Sequence, residues 1–180
     1  MLKLSILVVL INLAGCATFE SDWKIENPKK NRDLNALKLG DIILTEKDWK
    51  NPMSWFGHSA IMVDSYRIGE YSGPLEPYYE MDVILWLADK RKDYTVLRYK
   101  KFTQEFQEQF IKNLQNSKNK IYSLSSKTNS ESFYCSKHIW YLYWKTARDL
   151  GYELDVDKDK GELVTPYDLM NSFYFHKLSI

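Results

Sequence analysis

The segment from Tyr134 to about Leu150 most constrains how this chain can fold, because apolar side chains surround the whole predicted helix rather than one face. A helix that is apolar all round must be covered on most of its surface. The apolar positions are Ile139, Trp140, Leu142, Tyr143, Trp144 and Ala147. We therefore predict a buried helix with other elements packed around it.

Short apolar runs bounded by turn residues come before this helix and predict strands. These runs are LGDIIL (39–44), GHSAIMV (57–63), YRIGE (66–70) and DYTVLRYK (93–100). Thr103 is the predicted N-cap of an amphipathic helix, and Thr165-Pro166-Tyr167-Asp168 predicts the capped start of a last helix. The segments 71–80 and 115–133 are predicted to be loops. This order predicts an α+β domain in which a small antiparallel sheet or barrel packs on helices.

The first sixteen residues, MLKLSILVVLINLAGC, contain one lysine followed by an apolar run. Because about 20 apolar residues are needed to span a bilayer, the run is too short to cross one and fits a secretory signal peptide. Its last four residues resemble the lipobox of bacterial lipoproteins, in which the signal is removed before a cysteine that carries lipid. An ordinary signal peptide and a buried N-terminal helix are the alternatives.

The lipobox resemblance implies a domain organisation and a location. Residues 1–15 would be the signal peptide, Cys16 the lipidated residue, 16–36 a lipid-anchored polar linker and 37–180 the folded domain. The lipid would attach the protein to a membrane of the bacterial cell envelope. Ala17 stands after the cysteine in place of Asp, which implies the outer membrane, facing the periplasm, in a Gram-negative cell.

Charge and motif content exclude several classes of partner and cofactor. The chain has 25 basic and 24 acidic residues, so it lacks the basic surface expected of a nucleic-acid-binding protein. It shows no CxxC, no HExxH, no clustered His/Asp set and no glycine-rich phosphate loop. We therefore predict no metal, no cofactor and no nucleic-acid partner, and the oligomeric state stays open.

The second cysteine is the first candidate for chemistry. With Cys16 assigned to lipid, Cys135 has no partner for an intramolecular disulfide. It lies at the start of the predicted buried helix, where the peptide dipoles favour the thiolate form. From these features alone, a reactive nucleophile and a small buried apolar residue are both compatible with Cys135.

A thiolate nucleophile needs a base, and the chain has three histidines: His58, His138 and His176. His138 follows the cysteine by one helical turn and is expected to cap or pack within the helix. His176 lies in an aromatic run near the C-terminus and is expected to be partly exposed. His58 begins a predicted strand, where a sheet edge can hold its imidazole rigidly.

Glu70 is the predicted partner of this imidazole, because it ends the strand that follows His58. Two adjacent strands of a hairpin can bring residues twelve positions apart side by side. A carboxylate bonded to one imidazole nitrogen fixes the tautomer and leaves the other nitrogen to face a sulfur. Asp64 and Glu76 lie close in sequence and are the alternatives.

Five segments in this order resemble the YiiX-like group of NlpC-type cysteine hydrolases: LGDIIL, FGHSAIMV, a strand ending in Glu, YCSKHIWYLY and TPYDL. The resemblance spans roughly residues 37–175. It implies a circularly permuted papain fold, with Cys135 as nucleophile, His58 as general base and Glu70 orienting the imidazole. The family commonly has an acidic residue where Lys137 stands here, and an ammonium at that position would favour the thiolate.

We therefore expect a papain-like cysteine peptidase or amidase that cleaves an amide or ester bond through an acyl-enzyme. The backbone N–H of Cys135 is the expected oxyanion donor, with Tyr134 or Ser54 as candidate side-chain donors. Cell-wall peptides of peptidoglycan are the first expected substrate. The alternatives are a hydrolase or acyltransferase acting on lipid-derived amides or esters, and a non-catalytic lipoprotein that binds the cell envelope.

Overall fold

The structure is a computed structural model that describes residues 33–47, 55–90 and 93–180. The predicted signal peptide, Cys16, most of the linker and Ser54 lie outside the described residues. Within the described ranges, no helix combines the length and apolar character that crossing a bilayer requires.

The described chain forms strands and helices in alternating groups. The strands are β1 (Ile42–Thr45), β2 (His58–Met62), β3 (Arg67–Glu70), β4 (Tyr79–Asp82), β5 (Tyr94–Tyr99), β6 (Ile121–Tyr122), β7 (Ser132–Phe133) and β8 (Phe175–Leu178). The helices are α1 (Val83–Lys90), α2 (Gln104–Ser117), α3 (Cys135–Asp149) and α4 (Pro166–Asn171), and a 3₁₀ turn spans Leu34–Ala36.

Six of the strands form an antiparallel sheet in the order β4-β3-β2-β1-β5-β8, and β6 and β7 form a separate parallel pair. The central strand β1 is buried on both faces. Side chains of a strand alternate between faces, so Ile42 and Leu44 face one side and Ile43 the other. The predicted α+β class, with an antiparallel sheet packed on helices, is confirmed, and β4 and β8 are the edges of the sheet.

Two apolar clusters cover the two faces of the sheet. The larger cluster joins Ile42 and Leu44 to α2 and α3, through Phe110 and Tyr143 among others. The smaller cluster joins Ile43 to Trp86 of α1 on the opposite face. As predicted, α3 is buried on most of its surface. A helix buried in this way is held by packing rather than by helix propensity, so its first residue has a fixed position relative to the sheet.

Caps define both predicted helix starts. The Thr103 side chain accepts a hydrogen bond from the Phe106 N–H at 3.2 Å, which begins α2. Thr165 and Asp168 form a reciprocal capping box at the start of α4. Five elements differ from expectation: α1 and β8 were not predicted, β4 begins inside the predicted 71–80 loop, and the short strands β6 and β7 lie inside the predicted 115–133 loop. The run 83–90 is too short and too uniformly apolar in its first half to show a helical period.

Candidate active site

His58 is the first residue of β2, and its position is fixed by strand pairing and by the glycine before it. His58 pairs with Thr45 of β1, and Gly57 before it has φ +76°, a left-handed conformation that favours glycine. The strands β2 and β3 pair with Ile61 opposite Gly69 and Met62 opposite Ile68. Continuing this register brings Glu70, at the end of β3, close to His58.

Glu70 is almost fully buried, at 2% exposure, and three polar groups surround its carboxylate. His58 Nε2 and the Tyr79 hydroxyl each contact one of its oxygens, and the Lys90 Nζ donates to Oε1 at 3.0 Å. Burial favours the neutral acid, but the His58 imidazolium and the Lys90 ammonium outweigh it and lower the pKa of Glu70 to about 2. Glu70 is therefore ionised at neutral pH.

Cys135 is the first residue of α3, and its thiol is partly exposed. The Tyr134 N-cap makes no side-chain capping bond, so its side chain leaves the N–H groups of the first turn uncapped. The thiol lies close enough to His58 for each group to shift the pKa of the other. Because His58 Nε2 contacts Glu70, Nδ1 is the imidazole nitrogen that remains for the thiol.

The thiol and the imidazole shift each other's pKa. Burial opposes ionisation of Cys135, but the neighbouring His58, above all through its charge, and Ser59 outweigh it and lower the thiol pKa to about 7. Burial also opposes the charge on His58, but Cys135 and Glu70 raise the pKa of the imidazole to about 9. Between these values the ion pair of thiolate and imidazolium is the favoured form.

The structure thus brings together Cys135, His58 and Glu70. The alternative acids lie elsewhere: Asp64 pairs with Arg67 at 2.7 Å, and Glu76 accepts a hydrogen bond from Ser72.

The two other histidines have different surroundings. His138 Nε2 lies 2.7 Å from the Ser117 hydroxyl, and its ring is enclosed by Tyr71, Tyr78 and Phe133. Burial, with the Lys118 charge in addition, lowers the pKa of His138 to about 3, so this imidazole is neutral. His176 is exposed on β8.

Lys137 does not act on the thiol in the way the sequence suggested. It is completely buried, and its Nζ donates to Ser125 Oγ at 2.8 Å and to the Asn129 carbonyl at 2.5 Å. Residues two apart on a helix do not share a face, so the ammonium lies on a different side of α3 from Cys135. Burial lowers the pKa of Lys137 to about 8.

Three residues that surround the site were missed from the sequence: Ser59, Tyr79 and Lys90. The alternation of β2 marks Ser59 as a polar residue on an apolar strand; it is buried, and it contributes to lowering the pKa of the Cys135 thiol. Tyr79 and Lys90 carry no local signal, because they reach Glu70 through the pairing of β3 with β4 and the position of α1. The hydroxyl of Tyr134, a candidate oxyanion donor, accepts the Val164 N–H at 2.8 Å.

A second cluster of titratable groups was also missed. Among the described residues, one group could hold a metal ion: one carboxylate oxygen each of Asp157, Asp159 and Asp168 lie within 4.8 Å of one another. The sequence suggested no clustered set, because Asp168 is contributed by the start of α4. The alternating aspartates of DVDKDKG (155–161) were the available signal.

The fold and site together define an α+β protein in which a sheet and the start of a buried helix bring together a cysteine, a histidine and a glutamate. No family model matches the chain, and no curated protein matches it. Among solved structures it is similar to the crystal structure of metalloprotein YiiX from Escherichia coli O157:H7, at 16% identity and a TM-score of 0.59, over 79% of this chain and 96% of that one. At this identity the similarity shows the fold alone, so the chain has a YiiX-like fold.

Proposed function

We propose that this protein is a cysteine hydrolase with Cys135 as nucleophile, His58 as general base and acid, and Glu70 as the residue that orients the imidazole. The observation that carries this proposal is that Cys135, a partly exposed residue, and a buried, ionised Glu70 lie on either side of His58, which contacts Glu70 and lowers the pKa of the thiol. Because the pKa of the thiol is below that of its imidazole partner, the thiol gives its proton to His58 and the thiolate forms without an external base. The order of histidine before cysteine agrees with the circularly permuted papain arrangement that the sequence resemblance implies.

The reaction would proceed in two steps. The Cys135 thiolate attacks the substrate carbonyl carbon, the His58 imidazolium gives its proton to the leaving nitrogen or oxygen, and the bond to the leaving group breaks. In the second step neutral His58 takes a proton from water, the water oxygen attacks the thioester, and the thiolate leaves. The uncapped N–H groups at the start of α3 would stabilise the oxyanion in both steps.

For the substrate we propose an amide of a cell-wall peptide. The signal peptide and lipobox expected at residues 1–16 would hold the protein in the cell envelope, at the outer membrane facing the periplasm in a Gram-negative cell, beside peptidoglycan.

Exposed apolar side chains near the site favour a second candidate, an acyl chain in an amide or ester. Trp55 and Phe56 are 45% and 52% exposed just before His58, and Ile121 and Leu124 are 69% and 68% exposed close to β7. Exposed apolar side chains beside a candidate site are typical of ligand grooves. A lipid-derived substrate would bury it, whereas a polar stem peptide would not.

YiiX is described as a metalloprotein, and the proposed triad does not fit a metal ion. Glu70 Oε2 and His58 Nε2 contact each other, and Glu70 Oε1 is held by Tyr79 and Lys90. Only the thiolate and one imidazole nitrogen would remain as donors. A zinc site needs at least three protein ligands, so no step of the mechanism is routed through a metal.

The test is turnover by the full chain in detergent with two substrate sets, muropeptides and acyl-amide lipids. We expect turnover of one set, loss of turnover in Cys135→Ser and His58→Ala, and near-normal turnover in the His176→Ala control. No turnover of either set, together with an ordinary, slowly reacting thiol at Cys135, would support the non-catalytic envelope-binding alternative.

A further inference from the structure

A loop and a helix cap outside the proposed active site bring three carboxylates together. Asp157 and Asp159 lie in the loop after α3, and Asp168 lies in the first turn of α4. One oxygen of each lies within 4.8 Å of the other two. Calcium binds oxygen at roughly 2.3–2.6 Å, so opposite ligands stand about 4.6–5.2 Å apart and a single ion could span this group.

Asp157 provides an independent observation that points to a ligand. Its side chain is buried, with the whole residue 3% exposed, yet its Oδ1 has no hydrogen-bond partner in the described part of the chain. Leaving a buried carboxylate oxygen unsatisfied is destabilising, so native proteins rarely keep one without a ligand, ion or water.

The other oxygens of the three aspartates are used to shape the site. Asp157 Oδ2 contacts Lys127, Asp159 Oδ1 accepts the Gly161 N–H at 2.8 Å, and Asp168 Oδ2 accepts the Thr165 N–H at 2.7 Å. Each carboxylate therefore has one oxygen that fixes its position and one that no hydrogen bond from the described residues reaches. Three oxygens, each on a fixed carboxylate, are what a preformed cation site requires.

The local charge is unbalanced. Lys127 is the cation that contacts the group: its Nζ contacts Asp157 and lies 3.9 Å from Asp155. Burial and the charges of Asp168 and Asp159 raise the pKa of Asp157, and Lys127 opposes this rise. Three carboxylates against one ammonium leave an excess of negative charge that a divalent cation would neutralise.

The sequence of the loop agrees with this chemistry. Aspartates at 155, 157 and 159 followed by Gly161 resemble the start of calcium loops that read D-x-D-x-D-G, with the glycine displaced by one position. The twelfth position, a bidentate glutamate in those loops, is Pro166 here. Asp168 stands two residues further on, and its place in the capping box orients it toward the loop.

We propose that Asp157, Asp159 and Asp168 bind a hard divalent cation, with Ca²⁺ preferred. Ca²⁺ accepts several carboxylates in irregular geometry, whereas Mg²⁺ demands near-ideal octahedral geometry and keeps its water. The bound ion would fasten the 155–161 loop to α4. Because Ser136 Oγ donates to the Val164 carbonyl at 2.7 Å, this segment lies against the residues that flank Cys135.

Terbium luminescence tests the site in the full chain. Trp140 Nε1 donates to Asp155 Oδ1 at 2.8 Å, so a tryptophan lies beside the loop and can sensitise a bound Tb³⁺. We expect metal-free protein to give saturable Tb³⁺ emission that Ca²⁺ displaces, and Ca²⁺ to raise the melting temperature.

Two variants make the result specific to this site. Asp159 is exposed, so Asp159→Asn should fold normally and weaken Ca²⁺ binding by about tenfold or more. Asp89→Asn, which removes an exposed carboxylate of α1, should bind as the unaltered chain does. Emission that about 10 mM Ca²⁺ leaves unchanged, or equal affinity in Asp159→Asn and the unaltered chain, would overturn the proposal. Neither outcome depends on hydrolase activity.

Discussion

Removing the imidazole of His58 should change the ionisation of Cys135 more than any other single substitution. The charge of His58 is the largest effect that lowers the thiol pKa, and burial is the effect that it overcomes. In His58→Ala burial remains and the opposing charge is lost, so the thiol pKa should rise from about 7 to its ordinary value of 9.0 or above.

The expected size of the effect follows from the thiolate fraction. At pH 7.5 a thiol of pKa 7 is roughly three-quarters ionised, whereas a thiol of pKa 9 is about 3% ionised. Alkylation by iodoacetamide proceeds through the thiolate, so its rate at this pH should fall by about 25-fold in His58→Ala.

The assay is the rate of Cys135 alkylation from pH 5 to 10, read by peptide mass spectrometry so that Cys16 is counted separately. The unaltered chain should show a midpoint near pH 7, and His176→Ala should match it because His176 is exposed on β8. A midpoint in the unaltered chain near that of a free thiol, or a His58→Ala profile identical to it, would refute the ion-pair assignment.

Four further outcomes are expected. Glu70 has a pKa lowered to about 2 from 4.5, so its share of stability is present above pH 4.5 and lost as pH falls toward 2; urea unfolding of Glu70→Gln should lack this loss. Lys90→Met should raise the Glu70 pKa and move that loss of stability to higher pH, measured in the same way. Lys137→Met should leave the pH midpoint of Cys135 alkylation unchanged, because the Lys137 ammonium contacts Ser125 and Asn129, and a shift of that midpoint would contradict this. Thr165→Ala should lower the free energy of unfolding by about 0.5–2 kcal/mol through loss of the capping box, with exposed Thr128→Ala as control in urea.

The parts of the fold that depend on interactions between residues close in sequence were predicted from the sequence. The apolar surround of α3, the Thr103 cap and the Thr165–Asp168 box are each set by residues within a few positions of one another, and all three were predicted. The helix α1 was missed because its eight residues have no visible period, and β8 because four residues at the end of the chain carry little pattern.

The candidate site likewise contains residues that the sequence could place and residues that it could not. His58 and Glu70 could be paired from the sequence, because a hairpin relates them through a short register. Lys137 was misjudged because closeness along a helix was taken for closeness in space, and residues two apart on a helix diverge. Asp168 could not be joined to the 155–161 loop, because the packing of α4 and not its sequence position brings it there.

The missed helix α1 is also what completes the charge balance of the proposed site. Cys135, His58, Glu70 and Lys90 form a row of alternating sign: thiolate, imidazolium, carboxylate and ammonium. Without Lys90 the row would carry a net negative charge in a partly buried place, which would favour protonation of either Glu70 or the thiolate. A neutral row allows each charge to stay ionised beside an opposite one. We therefore expect the cation at the end of α1 to act on the proposed nucleophile through two intervening residues, so that its helix is as much a part of the proposed site as the two strands that carry His58 and Glu70.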